Sequence, residues 1–177
     1  MLNIINKKAE LYGIGLRIIT FNFRVILNNW KYSTISTRNL SRIPFYMPES
    51  KWNSKLTPEQ LHVLRDKGTE APNTGAYLHN KDTGVYTCAN CDAPLYKSDT
   101  KFDSGCGWPA FYEEISPDAL IYNTDISHGI KRVEICCGKC HGHLGHVFEG
   151  EGFDKILGVS SDKRHCVNSA SLKFNQK

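Results

Sequence analysis

The sequence predicts a mainly β domain, in which two antiparallel sheets form a rolled, barrel-like arrangement preceded by one short helix. Short runs of alternating apolar and polar residues recur along the chain, and Gly, Pro, Asn and Asp separate them. No internal repeat and no long helical period is present. This pattern favours packed or rolled antiparallel sheets. The predicted strands are residues 76–78, 85–88, 119–124, 131–136, 143–148 and 166–174.

One helix is predicted ahead of the strands. Thr57 is suited to the N-cap, Pro58 to the first helical position, and Gln60 to the third position of a capping box. The helix is expected to run to about Lys67 and to stop at Gly68, because glycine is the preferred residue just past a helix end. Its apolar side chains should pack on a sheet.

Charge is distributed unevenly between a basic N-terminal segment, residues 1–46, and a folded domain, residues 47–177. The first segment has seven Lys and Arg and one acidic residue, Glu10, a net charge of +6. The domain has 15 basic and 17 acidic residues, a net charge of −2. The basic pI therefore describes the segment, and the domain offers no basic surface for phosphates. No nucleic-acid partner is predicted.

The basic segment has the composition of a mitochondrial transit peptide. It is rich in Ser and Thr, nearly free of acid, and repeats a basic residue every seven positions from Arg17 to Arg38. Its apolar stretch, residues 14–27, is too short for a membrane span and contains two arginines. Mitochondrial localisation is therefore predicted, and a translation start at Met47 would leave the domain in the cytosol.

Four of the seven cysteines form two Cys-x-x-Cys pairs, and each pair follows a strand-like run. Two such turns placed face to face supply the four thiolates that a tetrahedral Zn²⁺ prefers, so one structural zinc per chain is predicted. A thioredoxin-like motif would open a helix, and neither pair does. Cys136 offers a competing spacing, but Cys137 gives the tighter turn. The predicted zinc ligands are Cys88, Cys91, Cys137 and Cys140.

Cys106 and Cys166 remain available for chemistry. Glycines flank Cys106, which predicts a mobile loop from which a thiol can approach another sulfur. Cys166 follows Arg164 and His165, and the arginine, with the histidine if protonated, would stabilise a nucleophilic thiolate. The alternative for Cys166 is a small buried apolar side chain. Trp108 is suited either to the core or to a platform for a small apolar group.

Histidines 141, 143 and 146 follow the second cysteine pair. In a regular strand His143 and His146 would point to opposite faces, unless a bulge near Gly145 brings them together. Spacing alone does not show which of the three contributes to a site.

Three motifs, together with the cysteine pairs, resemble those of the B-type peptide-methionine (R)-sulfoxide reductases. They are Gly105 to Phe111, His143 to Phe148 and Arg164 to Leu172, and the resemblance extends from about Trp52 to Phe174. It implies two antiparallel sheets, a structural zinc away from the active site, and thioredoxin-dependent reduction of R-methionine sulfoxide in oxidised proteins. Residues 47–177 would be the catalytic domain.

The same resemblance implies roles for individual residues. Cys166 would be the nucleophile and Cys106 the resolving cysteine, with His143 and His146 also catalytic. The acidic residue that the family often has after the His-Val-Phe run is left open between Glu149 and Glu151. The following segment is longer than in many bacterial members. The substrate-binding residues would be Trp108, Arg164 and Asn168.

Two other classes of protein would account for part of these motifs. A zinc-ribbon-like binding module without catalysis would account for the four paired cysteines, but not for Cys106 and Cys166 in their distinct settings. A zinc hydrolase would need an open coordination position for water, which four thiolate ligands close.

Overall fold

The computed structural model describes residues 48–177. The predicted transit segment, residues 1–46, and the alternative start at Met47 lie outside these residues. Within the described range the two α-helices have seven and five residues, and no helix has the length and apolarity needed to cross a membrane.

Two antiparallel sheets form most of the domain. In chain order the elements are α1 (Pro58–Leu64), β1 (Gly84–Cys88), β2 (Pro94–Lys97), β3 (Lys101–Phe102), β4 (Ala110–Phe111), β5 (Leu120–Asp125), β6 (Arg132–Cys137), β7 (His143–Glu149), α2 (Phe153–Leu157), β8 (Lys163–Val167) and β9 (Leu172–Gln176). One sheet has three strands in the order β2-β1-β9, and the other has six in the order β3-β4-β8-β7-β6-β5. The fold class is thus confirmed, but the expected barrel is not, because neither sheet closes on itself or joins the other within residues 48–177.

Helix α1 begins as predicted and ends earlier. The Thr57 hydroxyl accepts the backbone N–H of Gln60 at 3.2 Å, and the Gln60 side chain accepts the N–H of Thr57 at 3.0 Å, which completes the capping box. The α-helix stops at Leu64 because Lys67 has a left-handed backbone with φ of 59°. Leu64 is buried and packs in the core between the sheets.

Two predicted strands are wrong. Residues 76–78 form turns, in which Leu78 N–H donates to Gly75 O and Asn80 N–H to Tyr77 O. Residues 166–174 do not form one strand either. Strand β8 ends at Val167, a short 3₁₀ turn over Ser169–Ser171 follows, and β9 enters the other sheet. The alternation in this stretch therefore spans two sheets and does not mark one face.

The core lies between the two sheets and is rich in aromatic side chains. The Tyr96 and Phe111 rings stack with centroids 4.2 Å apart, and Tyr86 meets Phe111 edge to face at 5.1 Å. All three side chains have no exposed surface. Burying this apolar area is the main stabilising contribution to the domain, and it holds β4 and the neighbouring strand β8 against the three-stranded sheet.

Candidate active site and metal centre

The two cysteines outside the paired motifs meet in space. Cys106 Sγ lies 3.4 Å from Cys166 Sγ, although 60 positions separate the residues in sequence. Cys166 is on β8, where it pairs with Ala110 of β4, and Cys106 is in the loop that leads into β4. This loop turns at Gly107, whose φ of 93° favours glycine. The fold thus brings the predicted nucleophile and resolving cysteine to thiol–thiol contact.

The two thiols are coupled by a hydrogen bond. It lowers the pKa of Cys106 to about 5 and raises the pKa of Cys166, while burial raises both. The positive charge of Arg164 lowers the pKa of each thiol. The coupling and Arg164 together therefore favour one thiolate at this pair.

Arg164 is fixed beside this pair by an acidic partner. Its Nε and Nη2 donate to the two carboxylate oxygens of Glu151 at 2.6 and 2.7 Å, and its guanidinium lies 4.4 Å from the Phe148 ring centroid. Glu149 is on the opposite face of β7, beside Tyr122. Of the two acidic residues that the sequence left open, Glu151 is therefore the one that contacts a site residue.

A bulge in β7 brings the two predicted histidines to one face. Gly145 pairs with Ile135 of β6 while His143 pairs with the next residue, Cys136, so that Leu144 is the extra residue. The rings of His143 and His146 are 5.4 Å apart. The neighbouring Gly145 is required for a different reason, since a Cβ there would lie 2.0 Å from the carbonyl oxygen of Cys166.

Strand register then aligns His146 with the reactive cysteine. His146 pairs with Cys166 of β8 on one side and with Glu134 of β6 on the other. Residues directly opposite one another in an antiparallel sheet share a face. One row across the six-stranded sheet therefore carries a thiol, an imidazole and a carboxylate.

Each histidine has a carboxylate partner that the sequence interpretation missed. Glu134 Oε1 is 2.8 Å from Nδ1 of His143, and Asp125 Oδ2 is 2.8 Å from Nε2 of His146. Glu134 lies in the middle of a predicted apolar strand, which is a signal that could have drawn attention to it. Asp125 follows the end of its predicted strand, and nothing in its local sequence marks it.

The two carboxylates are ionised because cations and hydrogen bonds outweigh their burial. Burial raises the pKa of Glu134, but hydrogen bonds from His143 and Lys67 hold it at about 2. Lys67, in the turn that follows α1, places its ammonium nitrogen 2.9 Å from Glu134 Oε2. Bonds from Ser127 and His146 lower the pKa of Asp125. The pKa of His146 itself is lowered, chiefly by burial, so its ring is mainly neutral near pH 7.

His165 does not stabilise the thiolate, contrary to one expectation. Its side chain is fully buried on the other face of β8, where Nδ1 lies 3.2 Å from the hydroxyl of Tyr96. Burial lowers its pKa to about 4, so the ring is neutral. Of the two basic neighbours of Cys166, only Arg164 supplies a positive charge.

Trp108 and Asn168 occupy different environments. The Trp108 ring is half-buried, and its Nε1 donates to the backbone oxygen of Glu70 at 3.1 Å. Asn168 is buried, donates from Nδ2 to Leu144 O at 2.9 Å, and accepts the N–H of Glu70 at 3.0 Å. Trp108 thus offers a ring surface at the site, whereas the Asn168 amide anchors the β7 bulge to the end of β8.

The two Cys-x-x-Cys motifs adopt the same turn. Asp92 N–H donates to Cys88 O at 2.9 Å, and His141 N–H donates to Cys137 O at 2.8 Å. Asp92 and His141 have left-handed backbones, with φ of 57° and 60°. Each turn closes a strand end, β1 in the three-stranded sheet and β6 in the six-stranded sheet. The motifs are therefore paired knuckles, as the spacing predicted.

The knuckle sulfurs have the spacing that a tetrahedral metal needs. Cys88 Sγ lies 3.6 Å from Cys140 Sγ, Cys91 Sγ lies 3.6 Å from Cys137 Sγ, and all four atoms are within 4.8 Å of one another. Metal–sulfur bonds of about 2.3 Å in a tetrahedron place the sulfurs about 3.8 Å apart. The four residues thus fit one metal ion, with three of them buried.

Cys136 is not part of the knuckle cluster. It lies on the same face of β6 as Glu134, and Asn123 Nδ2 is 3.6 Å from its sulfur. Burial, followed by the charge of Glu134, raises its pKa to about 12. The thiol is therefore protonated and unreactive at neutral pH.

The six-stranded sheet thus brings two cysteine sulfurs into contact, with Arg164 and the carboxylate-bonded His146 beside them. Comparison with known proteins identifies the family. The chain belongs to the SelR family, whose domain model matches residues 56–176.

Several curated proteins are similar to this chain. Peptide methionine sulfoxide reductase 2 of Saccharomyces cerevisiae is 65% identical over 174 residues, which cover 97% of this chain and 99% of that protein. Peptide methionine sulfoxide reductase B2, chloroplastic, of Arabidopsis thaliana is 55% identical over 127 residues, 72% of this chain and 59% of that protein. Peptide methionine sulfoxide reductase MsrB of a Synechococcus species is 49% identical over 134 residues, 76% of this chain and 94% of that protein.

Proposed function

We propose that this protein reduces the R epimer of methionine sulfoxide in oxidised proteins to methionine, with thioredoxin as the reductant. The observation that carries the proposal is the 3.4 Å contact between the Cys106 and Cys166 sulfurs beside Arg164. Membership of the SelR family and similarity to proteins named as peptide methionine sulfoxide reductases support the same reaction class.

The first step is a two-electron transfer from Cys166 to the sulfoxide. The thiolate attacks the sulfoxide sulfur, the oxygen passes to the cysteine sulfur, and methionine is released with Cys166 as a sulfenic acid. A sulfoxide oxygen leaves poorly unless it is protonated, so an acid is needed nearby. Arg164 stabilises the attacking thiolate, and Glu151 fixes the position of the guanidinium.

His143 is the better candidate for the proton donor. Glu134 holds its Nδ1, while its Nε2 is buried and has no hydrogen-bond partner among residues 48–177. The bond to Glu134 fixes the ring, so Nε2 is the nitrogen that remains to bond to a sulfoxide oxygen. His146 is less suited to give a proton, because burial lowers its pKa. Its ring, held by Asp125, lies beside Cys166 on the same face of the sheet.

The second step regenerates the thiols. The Cys106 thiolate attacks the sulfenic sulfur of Cys166, a disulfide forms, and hydroxide leaves as water after protonation. Thioredoxin then reduces this disulfide by thiol–disulfide exchange and becomes oxidised itself. Trp108 offers an apolar surface for the S-methyl group and Arg164 lies beside the thiols, whereas Asn168, predicted to bind substrate, supports the site through its bonds to Leu144 and Glu70. Recognising the methyl group and the oxygen at separate points allows one epimer to be selected.

Zn²⁺ is the metal that we propose for the knuckle cluster. Four thiolates are a donor set typical of structural zinc, and they leave no open position for a water or substrate. The metal would be held by Cys88, Cys91, Cys137 and Cys140, and it would fasten the end of β1 to the end of β6. It takes no part in the proposed reaction.

A direct assay tests the activity. The purified chain should convert dabsyl-methionine-R-sulfoxide to dabsyl-methionine with dithiothreitol or with thioredoxin, and it should leave the S epimer unchanged, as resolved by chiral chromatography. Retention of the metal without conversion of either epimer would instead support the zinc-ribbon-like binding module.

Localisation is a separate proposal that depends on the basic segment. Residues 1–46 fused to a fluorescent reporter should carry it to mitochondria, because an acid-poor basic segment is the form of a matrix-targeting signal. A matched fusion with Arg17 and Arg24 changed to Glu should stay in the cytosol. A diffuse cytosolic signal from the unmodified fusion, or its entry into the secretory route, would contradict the proposal.

A further inference from the structure

Glu70 is a buried carboxylate outside the three motifs that resemble the reductases. Only 7% of the residue is exposed. Its side chain accepts two backbone N–H groups, from Ser169 to Oε1 at 2.7 Å and from Ala170 to Oε2 at 2.9 Å. Its own backbone N–H donates to Asn168 Oδ1, and its backbone oxygen accepts from Trp108 Nε1. All four polar atoms of Glu70 are therefore hydrogen-bonded, either to residues of the site or to the turn that follows β8.

No cation forms an ion pair with Glu70 within residues 48–177. Burial raises the pKa of its carboxyl group, and the backbone bonds from Ala170 and Ser169 oppose that rise. A buried carboxylate without a cation is costly. Here the cost is offset by the two backbone N–H groups that it accepts, which an apolar side chain would leave without partners.

The two segments that Glu70 joins are those that carry the two reactive thiols. Trp108 is two positions after Cys106, and Asn168 is two positions after Cys166. We propose that Glu70 is a positioning residue that fixes the Cys106 loop relative to strand β8, and so sets both the thiol–thiol contact and the place of the Trp108 ring. This inference rests on the proposed function where it concerns substrate, but the thiol contact can be measured without it.

Neighbouring contacts show how tightly this connection is held. Asn73 N–H donates to Gly107 O at 2.8 Å, a second link between the Glu70 segment and the Cys106 loop. A Cβ added at Gly75 would lie 2.6 Å from Glu70 Oε1 and 2.3 Å from the Ser169 hydroxyl oxygen. Gly75 therefore leaves no room for a Cβ between its own backbone and the Glu70 carboxylate, which lies close against both Gly75 and the turn that it binds.

The test is Glu70→Gln, which keeps the volume but removes the charge and offers only one acceptor oxygen. Its matched control is Leu95→Val, a core change in β2 that lowers stability away from the site. The first readout needs no substrate: diamide takes two hydrogens from the Cys106 and Cys166 thiols, a disulfide forms, and diamide becomes the hydrazine. The second readout is kcat, KM and R-over-S selectivity with the sulfoxide, per folded protein.

Glu70→Gln should slow disulfide formation by on the order of tenfold, because the thiol contact depends on sub-ångström placement, and it should raise KM and lower epimer selectivity. The control should change neither the disulfide rate nor KM. Where Glu70→Gln yields no folded protein, Gly75→Ala displaces the carboxylate and should give the same pattern.

The outcomes separate this inference from the proposed function. Disulfide formation and KM equal to those of the control would show that Glu70 is only structural and overturn the inference. A slowed disulfide in a protein whose unmodified chain reduces no sulfoxide would support the positioning role and defeat the proposed reaction. Equal rates of disulfide formation in Glu70→Gln and the control, with normal sulfoxide reduction by the unmodified chain, would overturn the positioning role and support the proposed reaction.

Discussion

Cys166→Ser is expected to abolish sulfoxide reduction with every electron donor, lowering turnover by at least about a thousandfold, because no sulfenic acid can form. Cys106→Ser is expected to release about one methionine per enzyme and then to stop with thioredoxin. Slow cycling with dithiothreitol should remain, since a small thiol can attack the sulfenic acid directly. The two substitutions thus separate the first chemical step from the recycling step.

The coupling between the two thiols makes this test informative about which sulfur attacks. It lowers the pKa of Cys106, the sulfur assigned to recycling, and raises the pKa of Cys166, the sulfur assigned to attack. The assignment therefore requires the Cys166 proton to pass to Cys106 across the 3.4 Å contact before the attack. In Cys106→Ser a hydroxyl remains to stabilise the Cys166 thiolate, with help from Arg164. The first step should therefore survive the loss of the second thiol.

Methionine released per enzyme in a single turnover decides between the assignments, with Cys136→Ser as the control. Cys136 is buried with a raised pKa of about 12, so its replacement should leave both steps intact. One methionine released per enzyme by Cys166→Ser and none by Cys106→Ser would show that Cys106 is the nucleophile and Cys166 the resolving cysteine. Normal thioredoxin cycling by Cys106→Ser together with failure of Cys136→Ser would place the resolving role on Cys136.

Local patterns predicted the parts of the site that depend on neighbouring residues. The capping box at Thr57 and the cysteine knuckles were found because each is defined by spacing within a few residues. The strand that carries His143 and His146 was also found, and the bulge considered near Gly145 is present at the adjacent Leu144, although the sequence did not require it. Extra residues in a strand are determined by the pairing partner, which a single strand does not reveal.

Contacts between distant segments were not predictable in this way. Residues 166–174 alternate as a strand would, yet both the N–H and the amide Nδ2 of Asn168 bond to Leu144 O and turn the chain out of the sheet. Glu134 contacts His143 because β6 pairs with β7 in one register, and Asp125 contacts His146 because its side chain extends to it from the end of β5. Glu70 contacts a segment about a hundred residues later, so no local pattern marks it.

Loss of the metal is expected to unfold the domain. The knuckles close β1 in one sheet and β6 in the other, so a metal bound to both fastens the two sheets together. Structural zinc contributes about 10–16 kcal/mol of apparent binding free energy in small domains, whereas whole domains are stable by about 5–15 kcal/mol. Removing one thiolate loses much of the zinc-binding free energy, and this loss is as large as the whole stability of a typical domain.

Cys88→Ser and Cys140→Ser should therefore each lose zinc and melt at least about 10 °C below the unmodified chain, which should hold about one zinc per chain. Cys136→Ser is the matched control, since it removes a buried thiol from the same strand and leaves the four knuckle cysteines in place. Acid should act in the same direction as the substitutions, because the thiols must lose their protons to bind metal and regain them as the pH falls. Metal analysis and thermal unfolding measure both effects. Full zinc content in both ligand variants would reject the site, and loss of zinc with unchanged melting would show that the metal does not hold the sheets together.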